Sequence, residues 1–390
     1  MEHLINNHVK DIEISGIRKF FNLVNNYEDV VSLTIGQPDF HTPNHVKNAA
    51  IQALESNHTT YTPNAGLPQL RTAIHHYTKE KYNLNYEPDT EIIVTVGASQ
   101  AIDITLRTII TPGDEVILPA PVYPGYEPLI RLAGGIPVHI DTTETDFKLT
   151  AHQLKRHITE QTKCVILPYP SNPTGVSLTQ EELSDLADIV HEHKLFVLAD
   201  EIYSELTYEN KHSSIGLFEK IKAQTLIIQG VSKSHSMTGF RIGYVLGDIS
   251  IIKHMLKVHQ YNVSCATSIS QYAALEALTV GKNDSQKMRD AYLERRNYVI
   301  NRLNAMGVDV VKPDGAFYVF PKLSLDGVSS FQLGLKLVKD AGLALVPGDA
   351  FSTYGEGYMR LSYAYSIEIL EKGLDRLESF LQNNKQSTNV

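Results

Sequence analysis

The sequence predicts an α/β fold, with a mainly parallel central sheet covered by helices and a smaller α+β domain. Two features of the 390 residues indicate this fold. Between positions 91 and 228, short strands that are apolar on both faces alternate with amphipathic helices, a pattern typical of a parallel sheet buried on both sides. After about Gly281, a long charged helix precedes short strands with helices between them, which favours a second, α+β unit.

The individual elements follow from the spacing of the apolar residues. Strands are predicted at 31–35, 91–96, 115–118, 138–140, 164–167, 195–199, 226–228, 316–320, 343–346 and 359–363. Helices are predicted at 43–56, from 68 onward, and at 97–110, 126–132, 180–194, 284–306 and 367–381, with a frayed polar end at 382–390. Thr179 and Glu182 fit a capping box. These elements predict an arm with part of the small domain at 1–45, a large domain at 46–281 and a small domain at 282–390.

Composition and charge argue against several classes of protein. A hydrophobic content of 42% and a charged content of 20% are ordinary for a globular protein. The formal net charge of −9 argues against a nucleic-acid-binding surface. No apolar stretch is long enough for a membrane span and the N-terminal residues lack a signal-peptide pattern, so we expect a cytoplasmic protein. Cys164 and Cys265 are expected to be reduced thiols, and no metal-binding pattern is expected to form a site.

Chemically distinctive residues cluster where the predicted strands end. They are Gly97, Tyr123, Asn172, Asp200, Tyr203, Ser232 and Lys233. Parallel sheets of this type bind ligands beyond the carboxyl ends of their strands. The coincidence predicts a binding site at that edge of the sheet.

Lys233 lies in a predicted polar loop directly after the apolar run 226–228, and a second apolar run follows at 242–246. A lysine beside a buried strand has to be paired, neutralised or used covalently, and a lysine with a lowered pKa can attack an aldehyde. Arg241 follows a glycine-containing loop that can fold back toward Ser232. Together these three residues suit an aldehyde that carries a phosphate, with the lysine taking the aldehyde and the other two the phosphate.

Other residues suit the remaining parts of such a ligand. Asp200 ends an apolar strand, where a carboxylate either meets a cationic partner or caps the next element. The small residues 97–99 form a strand-to-helix junction, which favours phosphate binding. Tyr123 is suited to stacking on an aromatic ring, and Arg360 to holding a carboxylate through two hydrogen bonds. Each of these residues, taken alone, also fits an ordinary structural role.

The full pattern resembles the class I/II aminotransferases, fold-type-I enzymes that use pyridoxal 5′-phosphate (PLP). The resemblance rests on Ser232-Lys233 with Gly239 and Arg241, on Asp200-x-x-Tyr203 and on Asn172-Pro173, and it runs from about Ser32 to Leu381. It implies that the chain moves an amino group between an amino acid and a 2-oxo acid. It also implies a homodimer with active sites at the subunit interface.

The resemblance further implies a role for each site residue. Lys233 would form the Schiff base with PLP and Asp200 would pair with the pyridine nitrogen, with Tyr203 completing the catalytic set. The phenolate oxygen would be bound by Tyr203 and Asn172, and Tyr123 would stack on the ring.

The phosphate would be held by Ala98, Ser99, Ser232 and Arg241, with Tyr61 reaching the site of the neighbouring subunit. The substrate α-carboxylate would be held by Arg360, with Asn172 and the Gly36 backbone nearby. Cis peptide bonds are expected before Pro121 and Pro173.

The amino donor is suggested by a narrower similarity. Four segments, at 34–40, 61–66, 232–239 and 259–265, are similar to bacterial members of the family that act on N-acetyl-LL-2,6-diaminopimelate in lysine biosynthesis. The resemblance implies that donor, with 2-oxoglutarate as acceptor. Many family members carry Lys at the position of Ser99, so phosphate or substrate contacts there are expected to differ. Ile17 and Arg18 are expected at the distal pocket, where Arg18 either contacts a distal carboxylate or remains a solvated surface charge.

Three alternatives remain open from the sequence. One is an aminotransferase of aspartate or aromatic specificity. Another is a C–S β-lyase on the same fold and cofactor. The last is a PLP-sensing regulatory domain, against which the lack of a basic N-terminal helix-turn-helix segment argues.

Overall fold

The computed structural model describes residues 1–24 and 27–387. The strands are β1 Val31–Ser32, β2 Ile92–Thr95, β3 Glu115–Ala120, β4 Ile136–Asp141, β5 Thr162–Leu167, β6 Phe196–Asp200, β7 Thr225–Gly230, β8 Gly243–Gly247, β9 Tyr318–Val319, β10 Leu343–Ala344, β11 Val346–Pro347 and β12 Met359–Ser362. The α-helices are α1 Asn7–Lys10, α2 Gly16–Val24, α3 Asn44–Glu55, α4 Pro68–Tyr82, α5 Gly97–Ile109, α6 Tyr126–Leu132, α7 Ala151–His157, α8 Gln180–His193, α9 Val231–Ser234, α10 Ile249–Val263, α11 Ser268–Leu278, α12 Ser285–Ala305, α13 Ser330–Ala341 and α14 Ile367–Ser387.

The central sheet is mainly parallel, as predicted. In the described residues its order is β2-β8-β7-β6-β5-β3-β4, and β8 alone runs antiparallel to both of its neighbours. Residues 231–242 join β7 to β8 at the carboxyl end of β7, and β8 turns back beside β7. This reversal keeps α9 and Arg241 at the edge where β7 ends.

Helices cover both faces of the central sheet because its strands are apolar on both sides. On β2, Ile92 and Val94 enter one apolar core, which includes residues of α4, α8 and α11. Ile93 enters the opposite core, with residues of α5 and α10. Successive strand residues point to opposite faces, so each face of the sheet contributes a separate set of apolar side chains to its own core. The capping box of Thr179 and Glu182 forms at the start of α8 as predicted.

The second part of the structure is built on an antiparallel sheet with order β11-β12-β9, and β1 pairs in parallel with β10. A third apolar core joins these strands to α12, α13 and α14, with Leu33, Tyr292 and Phe317 among its fully buried members. The early strand β1 therefore belongs with the late elements. The domain boundaries at 45 and 281 remain a prediction.

Several predicted elements differ from those observed. The strand expected at 31–35 has two residues, and the one expected at 343–346 is divided into β10 and β11 at Leu345. The last helix continues past Leu381 to Ser387, so the expected frayed end is helical there, and 388–390 lie outside the described residues. α7, α10 and α11 were not predicted. α11 consists largely of small and apolar residues and packs against both α3 and α4, so no polar face marks it in the sequence.

Two kinds of feature are absent from the described residues. No helix there is both long and apolar enough to cross a membrane. No group of His, Cys, Asp or Glu side chains in that part of the chain is arranged to bind a metal ion.

Candidate active site

A cavity of about 470 Å³ opens at the carboxyl edge of the central sheet, between that sheet and β12. It is lined by most of the residues predicted from the sequence, namely Ile17, Gly36, Ala98, Ser99, Tyr123, Asn172, Asp200, Tyr203, Ser232, Lys233, Arg241 and Arg360. Arg18 and Tyr61 are exposed and do not belong to this lining. The structure therefore gathers into one cavity residues that are more than 340 positions apart in the chain, since Ile17 and Arg360 both line it.

Lys233 lies on the short helix α9, immediately after β7, and not in the loop that the sequence predicted. Its Nζ donates to the carbonyl oxygen of Gly36 at 2.6 Å. Burial and, after it, the cations Arg241 and Arg360 together lower the pKa of Lys233 to about 8, against the opposing effect of the Asp200 carboxylate. With that pKa, roughly one tenth of the amine is neutral at pH 7. The amine is therefore a nucleophile near neutral pH.

Asp200 is the last residue of β6 and is only 7% exposed. Its Oδ2 accepts a hydrogen bond from the hydroxyl of Tyr126 at 2.7 Å, and its Oδ1 accepts one from the backbone N–H of Ile202 at 3.2 Å. Burial raises the pKa of Asp200, while these two hydrogen bonds and the charge of Lys233 oppose the rise. A cationic group in the cavity would compensate the negative charge of this buried carboxylate. The sequence did not predict Tyr126, although it follows Tyr123 at the same strand end.

A cradle for an anion forms where α5 begins beside Arg241. Gly97 has a φ of +77°, and a Cβ there would lie 2.4 Å from Nη2 of Arg241. A Cβ at Gly243 would lie 2.5 Å from the backbone nitrogen of Ala98. These glycines allow the guanidinium and the helix N-terminus to approach each other. With Ser99 and Ser232 also in the lining, the cradle has the donors and positive charge that a phosphate requires.

Arg360 on β12 is 2% exposed, and its described partners are neutral. Nη1 donates to Oδ1 of Asn172 at 2.9 Å and Nη2 donates to the carbonyl oxygen of Thr34 at 2.7 Å. The guanidinium lies 4.4 Å from the ring centre of Tyr318, and its Nε is buried without a partner among the described residues. Burial lowers the pKa of Arg360. A buried cation with neutral partners is suited to binding an incoming carboxylate.

Aromatic hydroxyls complete the cavity wall. The hydroxyls of Tyr203 and Tyr318 are 3.0 Å apart, and Tyr318 was not predicted from the sequence. A Cβ at Gly36 would lie 3.1 Å from the Tyr318 hydroxyl, so the glycine lets this chain segment approach. Tyr123 faces the cavity with its ring edge-on to Tyr126, at 5.5 Å and 87°. The peptide bonds before Pro121 and Pro173 are cis as predicted, and the bond before Pro170 is also cis.

The sequence profile of the family Aminotransferase class I and II matches residues 28–377. The chain belongs to this family. It is accordingly a PLP-dependent transaminase of fold type I, and the cofactor and enzyme class expected from the sequence are confirmed.

Relatives of several specificities are similar to this aminotransferase. A "Probable N-acetyl-LL-diaminopimelate aminotransferase" of Bacillus subtilis is 58% identical, over 99% of this chain and 98% of that protein. An aspartate aminotransferase of Pyrococcus abyssi is 42% identical, over 95% and 96%. The crystal structure of an aromatic aminotransferase from Pyrococcus horikoshii superposes with a TM-score of 0.89 at 40% identity, over 95% of this chain and 99% of that one.

The cavity fits the cofactor of the family. Lys233 supplies a partly neutral amine, the buried Asp200 accepts a cationic partner, and the glycine-lined cradle accepts a phosphate. These three features lie at one edge of the sheet. The roles of the individual residues remain predictions, which the following variants test.

Replacing the lysine should separate covalent from non-covalent binding of PLP. In Lys233→Ala the cradle and Asp200 remain, so we expect cofactor to bind without the visible absorption band of the lysine-linked form. The transamination rate should fall by at least ~10²–10⁴-fold, because a group that transfers protons is lost. Absorption spectra and steady-state rates measure both effects. Lys257→Ala, at an exposed position on α10, is the control. A visible spectrum unchanged from wild type would contradict the assignment of Lys233.

The reactivity of Lys233 should depend on pH. The neutral amine is the nucleophile, so the apoprotein should react faster with pyridoxal, which lacks the phosphate, as the pH rises through about 8. Arg241→Gln removes a cation that lowers the pKa of Lys233, and the midpoint should therefore move to higher pH. Initial rates, followed by borohydride trapping at each pH, measure the midpoint. A wild-type midpoint near the ordinary lysine value of 10.5 would show that the amine is not perturbed.

Proposed function

We propose that this aminotransferase moves the amino group of N-acetyl-LL-2,6-diaminopimelate to 2-oxoglutarate, a step of lysine biosynthesis in the cytoplasm. The reaction class is supported by one observation above all, the presence of Lys233, Asp200 and Arg360 in one cavity. The proposed amino donor is supported by the 58% identity to the Bacillus subtilis relative over nearly the whole of both chains.

Some residues of the cavity are proposed to bind the cofactor and the substrate, and Lys233 is proposed to transfer the proton. When bound, PLP supplies an aldehyde that bonds to amines and a ring that withdraws electrons from the substrate α-carbon. Arg360 binds the α-carboxylate of the amino acid and so fixes the position of its α-carbon. Asp200 would hold the cationic nitrogen of the cofactor, and Asn172 and Tyr203 would donate hydrogen bonds to its phenolate oxygen.

Lys233 moves the proton. Its free amine, whose pKa is about 8, would take the proton from the substrate α-carbon and hold it as an ammonium for its return in a later step. Water would supply the oxygen of the 2-oxo acid product, the amino group would remain with the cofactor, and 2-oxoglutarate would then enter the same site to receive it. The same residues act in reverse order on the second substrate, which makes the kinetics ping-pong.

An alternative specificity, for aspartate or aromatic amino acids, is favoured by the relatives with those names. The cations among the described lining residues are Lys233, Arg241 and Arg360, and each is already assigned to the aldehyde, the phosphate or the α-carboxylate. A second carboxylate on the substrate therefore needs a cation from elsewhere. Arg18, which follows the lining residue Ile17 on α2, or a residue of a partner subunit would have to supply it.

A panel of amino donors distinguishes these specificities. The PLP-loaded enzyme should be converted to its pyridoxamine form by N-acetyl-LL-2,6-diaminopimelate with a kcat/KM at least about tenfold above those of aspartate and phenylalanine, a difference that pocket contacts can supply. Single-turnover absorbance measures each rate, with Lys233→Ala as the inactive control. Preference for aspartate or phenylalanine would favour the alternative, and pyruvate release from cystathionine would favour a C–S β-lyase.

We also propose a homodimer in which Tyr61 completes the site of the partner subunit. Tyr61 is 87% exposed, yet the loop that carries it is held firmly. Buried Gln271 donates to Oγ1 of Thr62 at 2.9 Å and accepts from the backbone N–H of Leu67 at 2.7 Å. A second tyrosine, Tyr261 on α10, is equally exposed. Large exposed aromatic side chains on an ordered surface suit a protein interface.

Mixed dimers test whether the sites are shared. Tyr61→Ala and Lys233→Ala dimers should each have low activity, because each lacks one part of both sites. Unfolding and refolding an equimolar mixture should restore about one quarter of the wild-type rate, since half of the dimers then contain one intact site. Activity after mixing, with size-exclusion chromatography to confirm assembly, measures this. No recovery beyond the sum of the two parents would contradict shared sites.

A further inference from the structure

We propose that Tyr126 is a positioning residue of this aminotransferase, which holds Asp200 through its hydroxyl and Tyr123 through its ring. The proposal rests on the role assigned above to Asp200. Tyr126 is the first residue of α6 and is 2% exposed, so its polar atom is enclosed within the protein. Its hydroxyl needs a buried partner, and it has one in Oδ2 of Asp200 at 2.7 Å.

Tyr126 is the one side chain in the described part of the protein that donates a hydrogen bond to Asp200. The other oxygen of the carboxylate accepts from the backbone N–H of Ile202 at 3.2 Å. The shorter of the two bonds thus comes from a group on a different element, which fixes the plane of the carboxylate relative to α6. A hydrogen bond to a charged acceptor is roughly twice as strong as one between neutral groups.

The ring of Tyr126 supports the residue that is suited to stacking on the cofactor. The rings of Tyr123 and Tyr126 meet edge-on, with centres 5.5 Å apart and planes at 87°. Gly125 lies between them in the sequence, and a Cβ at that position would approach Cε1 of Tyr123 to 2.3 Å. Gly125 therefore lets the Tyr123 ring fold over its own backbone. Through its two contacts, Tyr126 holds both Tyr123, which is suited to stacking on the cofactor ring, and Asp200, which would pair with the pyridine nitrogen.

The hydroxyl of Tyr126 also favours the charged form of Asp200. Burial favours the neutral acid, and the Tyr126 hydrogen bond opposes this by lowering the pKa of Asp200. The titratable groups that act on Asp200 are Tyr126, Glu201, Lys233, Tyr123 and Tyr203. Glu201 raises the pKa of Asp200 and Lys233 lowers it. Without the hydroxyl, Asp200 should retain its proton to a higher pH. The acid limb of the pH–rate profile should therefore move to higher pH.

The test compares two conservative substitutions. Tyr126→Phe removes the hydroxyl and keeps the ring contact with Tyr123. Tyr82→Phe is the matched control, because the buried Tyr82 hydroxyl also donates to a carboxylate, that of Glu205, yet Tyr82 does not line the cavity. The PLP-loaded enzymes are compared by kcat and KM as functions of pH, by the pH titration of the visible absorbance, and by the thermal unfolding midpoint.

We expect the acid limb of kcat in Tyr126→Phe to lie about one pH unit or more above that of wild type, the size expected for a hydrogen bond to a charged group. KM for the amino acid should stay within about threefold, because Arg360 is untouched. Tyr82→Phe should lose similar thermal stability and keep the wild-type pH profile. A wild-type profile in Tyr126→Phe, or equal shifts in the two variants, would overturn the proposal.

Asp200→Asn separates this proposal from the one it rests on. If Asp200→Asn keeps its rate within a few-fold, the assignment of Asp200 is wrong and the role of Tyr126 is wrong with it. If that variant is inactive while Tyr126→Phe has the wild-type profile, only the role of Tyr126 is wrong. Thermal midpoints of both single variants and of the double variant give a further readout. The effect of Tyr126→Phe should shrink in the Asp200→Asn background, and additive effects would count against the contact.

Discussion

The active site is governed by an excess of positive charge in a partly buried cavity. Among the described residues that line it, the cations are Lys233, Arg241 and Arg360, and the one acidic side chain is that of Asp200. The cations are held mainly by neutral acceptors, the carbonyl oxygens of Gly36, Thr238 and Thr34. Such partners orient a cation without cancelling its charge. Burial and this imbalance both lower the pKa of Lys233, and the imbalance is suited to binding the negative charges that a phosphate and a substrate carboxylate bring.

The fold makes this arrangement possible by bringing distant segments to one edge. Parallel strands deliver Asp200 and Lys233 to adjacent strand ends, since β6 and β7 are neighbours in the sheet. The reversal at β8 brings Arg241 back to the start of α5, at the cost of a left-handed backbone with φ of +55° at that arginine. A non-glycine residue in this region costs on the order of 1 kcal/mol. The antiparallel sheet adds Arg360 from the other side of the cavity.

Two residues predicted to belong to the site, Tyr61 and Arg18, lie outside the cavity lining. Tyr61 projects from a loop that Gln271 holds, and Arg18 lies exposed beside a residue that does line the site. We propose that each acts on a ligand only after another component is bound, a second subunit for Tyr61 and the substrate for Arg18. Substrate specificity in this family member is thus expected to depend on the rim of the cavity, because the charges in its interior are already assigned.

The sequence by itself determined the fold class, and the strand-end residues together with the resemblance to the family predicted most of the residues that line the cavity. Apolar runs of strand length, the capping residues of α8 and the polar residues at strand ends are each visible within a few positions. The sequence did not reveal Tyr126 and Tyr318, since a buried tyrosine looks the same in the sequence whether its hydroxyl meets Asp200, Tyr203 or a core carbonyl. The direction of β8 and the helical placement of Lys233 were likewise decided by tertiary structure. Strand pairing and the close approach of Gly97 to Arg241 depend on contacts between segments far apart in the chain.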